Sequence, residues 1–228
     1  MPAKLTAVFW ALSTLGIYAA SRALYRRHKH WWLSPLLTTW VLCGALLIAL
    51  HTNYHEYLRG THWLVSLLGP ATVAFAIPIY EQRRTIVRNW PILVVGVVCG
   101  SVIAIAISWW LAGLLQLSPE IRASLLPRSI TTPFAMEMAE TVGGIPALTA
   151  SFTAVTGLFG AAIGESLLLY LPLRSSFARG ASFGMGAHGA GVAKARELGD
   201  EEGAVAGLVM VFAGLLNVLG AAVVYAVR

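Results

Sequence analysis

Charge is what this sequence has least of. Only 11% of its 228 residues are Asp, Glu, Lys or Arg, while 57% are hydrophobic. A soluble domain carries about 25% charged residues, so this chain cannot cover itself with a wettable surface. That excludes a soluble enzyme and a nucleic-acid binder. Cysteine is also scarce, with two in the chain, which excludes a disulfide scaffold. Cys43 and Cys99 both fall in apolar runs and read as small buried hydrophobes. No CxxC or Cys/His spacing suggests zinc. Neither a Walker A loop nor a GxGxxG motif in a strand–helix setting is present. No serine has an identifiable base partner. The sequence therefore predicts neither an enzyme nor a bound cofactor or metal.

What is abundant is long apolar sequence. Residues 5–21, 33–50, 63–80, 91–117, 145–164 and 203–227 contain no Asp, Glu, Lys or Arg. Each is close to the roughly 17–25 residues that cross a bilayer. The expectation is an all-α polytopic integral membrane protein forming one transmembrane domain over residues 1–228. It has about six full spans and interrupted segments at 63–80, 124–143 and 178–198. Its main partner is the lipid bilayer.

The net charge of +6 reads as topology. Arg22, Arg26, Arg27 and Lys29 form one basic cluster, and Arg83, Arg84 and Arg88 a second. The loop between the second and third runs holds only Glu56 and Arg59. Short cytoplasmic loops carry the Lys/Arg excess, so both clusters belong inside and both termini outside. His51, His55 and His62 can share a helix face in the outer loop, without acidic or thiol partners for a metal.

The interrupted segments differ from the plain spans. Residues 63–80 contain Gly69-Pro70 and Pro78, and proline removes a backbone donor. Residues 124–143 contain Arg128, Glu137 and Glu140, each costing about 2.5–3.5 kcal/mol at mid-bilayer on insertion scales. Such a segment lies at the surface or is shielded within the bundle. Residues 178–198 hold Gly180, Gly184, Gly186, Gly189 and Gly191, too dense for a simple long helix. If 124–143 and 178–198 each enter and leave on one side, then Arg174, Arg179, Lys194 and Arg196 all lie inside. This re-entrant arrangement is preferred. If both cross fully, Arg174 and Arg179 move outside. An interrupted segment precedes a long apolar helix three times, which suggests internal repeats of the kind found in transporters.

The chemistry concentrates in those segments. Thr132 precedes Pro133 and can cap a helix starting there. A helix start with Arg128, Ser129, Thr131 and Thr132 beside it can hold a carboxylate or phosphate. Equally, it can be an ordinary cap with Arg128 reaching headgroups. Glu137 and Glu140 share a helix face. They can carry a coupling ion or proton, or pair with Arg128 or Arg196. His188 and Gly189, with Lys194 and Arg196 beyond, offer a titratable group beside accessible backbone, or simply tight packing. Glu197, Asp200, Glu201 and Glu202 suit the start of the last helix. Glu165 is an intramembrane acid, and Asn217 suits helix–helix adhesion.

Three stretches, LLGPATVAFAIPIYEQ, LLPRSITTPFAMEMAETVGGIPALTA and GMGAHGAGVAKARELGDEEGAVAGL, closely resemble the LrgB/CidB family of bacterial inner-membrane proteins. The likeness runs from about Leu33 to Val227. It departs from the family pattern at Arg128, commonly Lys there, and at Ala187, Val192 and Glu165. The resemblance implies a multi-pass inner-membrane protein that forms homo-oligomers and works beside a smaller LrgA/CidA-type membrane partner. It implies either of two activities. One is secondary transport of small carboxylates such as glycolate, glycerate or pyruvate. The other is holin/antiholin-like control of murein hydrolase export and autolysis. The residues favour transport: Arg128, Ser129, Thr131, Thr132, His188 and Gly189 would bind the acid. Glu137 or Glu140 would couple it, with Lys194 and Arg196 as supporting charges.

Overall fold

A chain this apolar must satisfy its backbone polar groups internally, and the helix does that within one segment. In the computed structural model, residues 3–28, 30–74, 76–81 and 83–226 are described, and no strand occurs among them. Lys29 lies outside the described residues, as does the side chain of Glu165. The all-α polytopic class is therefore observed. The chain divides into two units, Met1–Ala71 and Thr72–Arg228.

The first unit is built on α1 (Ala3–His28), α2 (Pro35–Ala49) and α3 (Tyr54–Ser66). Helix α1 packs on both others. Gly60 makes the α1–α3 contact close, since a Cβ there would stand 3.0 Å from the Ala7 backbone. Trp10 is fully buried beneath it, edge-on to Tyr57 at 5.4 Å between centroids. Helix α2 has 15 residues, or about 22 Å at 1.5 Å per residue, short of the roughly 30 Å hydrocarbon core. The expected third span is interrupted at Leu67, between the end of α3 and α4 (Leu68–Ala74), and α5 (Ala76–Glu81) follows. Pro70 falls in the first turn of α4, where its missing N–H is tolerated, so the helix restarts there instead of running through. Of the six apolar runs, four form helices long and apolar enough to cross a membrane.

In the second unit α6 (Arg83–Leu114) is bent at Asn89, φ −115° and ψ 15°, two residues before Pro91, whose ring disturbs the preceding turn. Its outer face, with Val102, Trp110 and Cys99, is exposed. Cys99 is thus not the buried side chain the sequence suggested. The chain then enters α7 (Pro119–Leu125), a 3-10 turn (Leu126–Ser129) and α8 (Thr132–Thr141). It returns to where it began. The Ile145 N–H donates to Ser124 Oγ at 2.7 Å and Thr149 Oγ1 to the Ser124 carbonyl at 3.0 Å. Residues 119–145 are a hairpin, followed by the long helix α9 (Pro146–Tyr170).

Helix α10 (Ser176–Leu198) is interrupted at His188, φ 35° and ψ −119°. In a straight helix Phe183 and Gly191 would be about 12 Å apart, yet a Cβ on Gly191 would collide with the Phe183 carbonyl. The segment therefore folds back on itself. Its first arm, 176–187, sets Gly180 on Glu202 and Gly184 on Ala206 of α11 (Asp200–Ala226), so it runs parallel to α11. Its second arm sets Val192 near Gly207 and Arg196 on Gly203, so it runs antiparallel. Residues 176–198 are a second hairpin with His188 at its tip. The Arg179–Glu202 ion pair, 2.6 Å, stands at its open end.

Helix α9 meets the first arm in reverse order, Gly157 at His188, Gly160 at Gly186 and Gly164 at Phe183. It is thus antiparallel to α11, and the two hairpins open at opposite ends of the second unit. Asn217 of α11 donates to Ser101 Oγ of α6 at 2.7 Å, both buried, which is the helix adhesion expected of it. Glycine position decides this packing. A Gly184→Ala methyl would sit 2.9 Å from the Ala206 Cα, while a methyl at Gly186 meets nothing within 4 Å. Thermal unfolding in detergent should show Gly184→Ala destabilised by about 1–3 kcal/mol. Gly186→Ala should be neutral or stabilised by up to about 1 kcal/mol. Equal effects would contradict the close approach.

Candidate functional site at the hairpin tips

Both tips lie midway along the long helices. His188 abuts Gly157, near the middle of α9, where a Cβ would stand 2.6 Å from its Cε1. Phe134, early in α8, fills the space beside Gly214, near the middle of α11. The 3-10 turn bearing Arg128 touches α10, and the His188 ring faces the Arg128 backbone carbonyl. Arg128 and His188, sixty residues apart in the chain, therefore meet.

Each group is held by its own surroundings. The half-buried Arg128 donates through Nε to Ser108 Oγ on α6 at 2.9 Å, and Ser108 in turn donates to the Ala104 carbonyl at 2.7 Å. This leaves both Nη groups without a hydrogen bond among the described residues. The backbone enters α8 through Thr131, φ −63° and ψ 144°, as N-cap, and no side-chain capping bond forms. The cap is thus one residue earlier than the Thr132 expected from Pro133, because Pro133 tolerates the second helical position as well as the first. Thr131 is buried and Thr132 half-buried, and neither hydroxyl is used by the cap. Ser129, at the end of the 3-10 turn that precedes them, is half-buried.

His188 is 5% exposed, and its Nε2 is buried with no hydrogen-bond partner among the described residues. Such a nitrogen costs about 1–3 kcal/mol when left unsatisfied. Its backbone occupies a region open chiefly to glycine, a strain of the kind found at functional sites. Gly186 and Gly189 flank it with open space, and both are exposed. The glycines of this segment therefore divide by role. Gly180, Gly184 and Gly191 permit backbone contact, while Gly186 and Gly189 keep the tip bare.

The other expected site residues are elsewhere. Glu137 and Glu140 are exposed on α8 and form no ion pair with Arg128 or Arg196 among the described residues. Their spacing puts them on one face, but that face is turned away from the interior, because Phe134, Ala135, Met138 and Ala139 occupy the buried one. They do not belong to the tip site. Lys194 pairs with Glu197 at 3.0 Å and Arg196 is exposed against Gly203, both toward the hairpin's open end. Ser108 and Gly157 were not picked out by the sequence reading. Ser101 and Ser108 share a face of α6 at a spacing of seven, which was the available signal. No group of three or more His, Cys, Asp or Glu residues suited to a metal occurs among the described residues.

Two hairpins meeting tip to tip between long apolar helices define a polytopic membrane protein with a central polar site. The chain belongs to the LrgB-like family, whose model matches residues 14–227. It is 36% identical to YwbG of Bacillus subtilis (strain 168) over 208 residues, 91% of this chain and 92% of that protein. It is 36% identical to YxaC of the same organism over 194 residues, 85% of this chain and 84% of the relative. A Haemophilus influenzae protein is 36% identical over 190 residues, 82% of each. None of these names states a function. No solved structure matches the chain.

The strain at His188 can be measured. His188→Gly relieves the backbone and His188→Ala does not, while both remove the imidazole. In thermal unfolding, His188→Gly should be more stable than His188→Ala by about 1–3 kcal/mol. The reverse order would show that the tip is not in this conformation.

Proposed function

We propose that this protein is a secondary transporter of small carboxylates, of the glycolate, glycerate or pyruvate type, in a bacterial inner membrane. It performs no covalent chemistry and uses no cofactor. One observation carries the reading: the turn bearing Arg128 meets the His188 tip midway along two long helices, beside two helix-start hydroxyls that no cap consumes, and His188 Nε2 is buried with no hydrogen-bond partner among the described residues. A small acid satisfies all of them together. The Nη groups of Arg128 suit the two oxygens of a carboxylate. The Thr131 and Thr132 hydroxyls and the first amides of α8 add donors at the positive end of the helix. Ser129 lines the same turn. His188 Nε2 meets a hydroxyl or keto oxygen on the neighbouring carbon. Gly189 leaves room for it.

In the orientation this reading adopts, the basic clusters at Arg22–Arg27 and Arg83–Arg88 are cytoplasmic. The N- and C-termini are then outside. The 119–145 hairpin opens outside and the 176–198 hairpin inside, with Arg174, Arg179, Lys194 and Arg196 on the cytoplasmic face. The protein acts as a homo-oligomer in the bilayer with an LrgA/CidA-type membrane partner. Autolysis control then follows from carboxylate flux rather than from a lytic pore.

The test is uptake of labelled glycolate, glycerate and pyruvate by liposomes containing the purified full chain. Uptake should saturate. Removing charge-assisted hydrogen bonds worth about 1.5–3 kcal/mol each should raise the apparent KM of Arg128→Ala, Thr132→Ala about tenfold or more. Equal uptake by variant and wild type would remove the site assignment. Size-graded dye release that small acids do not compete with would favour a holin-like regulator instead.

A further inference from the structure

The two hairpins are related in sequence as well as in shape. Shifted by sixty residues, Ala135, Glu137, Gly143 and Leu148 fall on Ala195, Glu197, Gly203 and Leu208, and Gly160-Ala161-Ala162 falls on Gly220-Ala221-Ala222. The same shift carries Arg128 onto His188 and Ser129 onto Gly189. It also carries Ser124 onto Gly184, and both positions seat the hairpin on the helix that follows it. Ser124 does so against Gly144 and Thr149, and Gly184 against Ala206. Each long helix then passes the other hairpin. Gly157 of α9 meets His188, and Gly214 of α11 meets Phe134.

The orientations differ in one respect. Helices α9 and α11 are antiparallel, by the order of the contacts each makes with the first arm of α10. The two hairpin–helix units are therefore inverted with respect to one another. We infer that residues 119–166 and 179–226 are two inverted copies of one unit, with Arg128 and His188 as equivalent tips forming one site reached from both faces of the membrane.

The reasoning is geometric. A site midway between hairpins from opposite ends is separated from each face by one hairpin. Two near-equivalent halves in opposite orientation can exchange conformations, and the exchange turns the opening from one face to the other. Gly189, exposed and with open space where a side chain would stand, is the part of the His188 tip least fixed by close contact. In contrast, the open ends are fixed by Ser124 with Ile145 and by Arg179 with Glu202. The two-sided access rests on the transport reading, while the inverted repeat does not.

The experiment uses the full chain with Cys43→Ala and Cys99→Ala, in vesicles of both orientations, labelled with a membrane-impermeant maleimide. Thr141→Cys and Glu201→Cys mark equivalent positions near the two open ends. They should label from opposite faces only, and labelling from the same face would overturn the inverted repeat. Ser129→Cys and Gly189→Cys mark the tips. Each should label from both faces and lose that labelling in saturating glycolate. Tips that label from one face only would overturn two-sided access. If the open ends label oppositely while glycolate neither protects the tips nor is taken up, the carboxylate reading fails and the repeat stands.

Discussion

The structure depends on backbone touching backbone where glycine replaces a side chain. At Gly180 and Gly184 the first arm of the second hairpin lies directly on α11, and at Gly191 its second arm lies directly on the first. Gly160 and Gly164 let α9 close over the same arm. Between apolar helices surrounded by lipid tails, burial of apolar area offers little discrimination, and close van der Waals contact takes its place. Without these contacts the segment around His188 would be an exposed, kinked helix. With them it becomes a hairpin whose tip is held at one depth.

The same constraint explains where the charges went. Arg179 and Glu202 close the open end of one hairpin, where both reach the helix start. Arg122 stacks on Trp109 at 3.3 Å near the end of α6. Of the charged residues in the two hairpins, Arg128 is the one held at the tip, and Ser108 is the hydroxyl that fixes it. A cation retained at that depth, beside hydroxyls that no cap consumes, is costly to structure alone. That cost is the physical argument for a ligand.

Much of this was legible in the sequence. The apolar runs gave the class, and Gly69-Pro70 falls beside the helix break at Leu67. The Thr-Thr-Pro run located the start of α8 to within one residue. The glycine density of 178–198 marked an interrupted segment, and the re-entrant alternative matches the hairpin geometry. Other features were not legible. Spacing by three told that Glu137 and Glu140 share a face but not that the face is exposed, because both faces of α8 contain apolar residues. Nor does any local pattern bring Arg128 to His188. That meeting depends on two hairpins entering from opposite ends, and the repeat behind it is blurred because Gly, Ala and Leu dominate every apolar helix here.

The central claim is that the two tips meet, and proximity measured in the membrane tests it most directly. With Ser129→Cys and His188→Cys in a chain lacking Cys43 and Cys99, a short bifunctional thiol reagent should join residues 129 and 188 within one chain. Each cysteine reacting singly, with no link between them, would contradict the account.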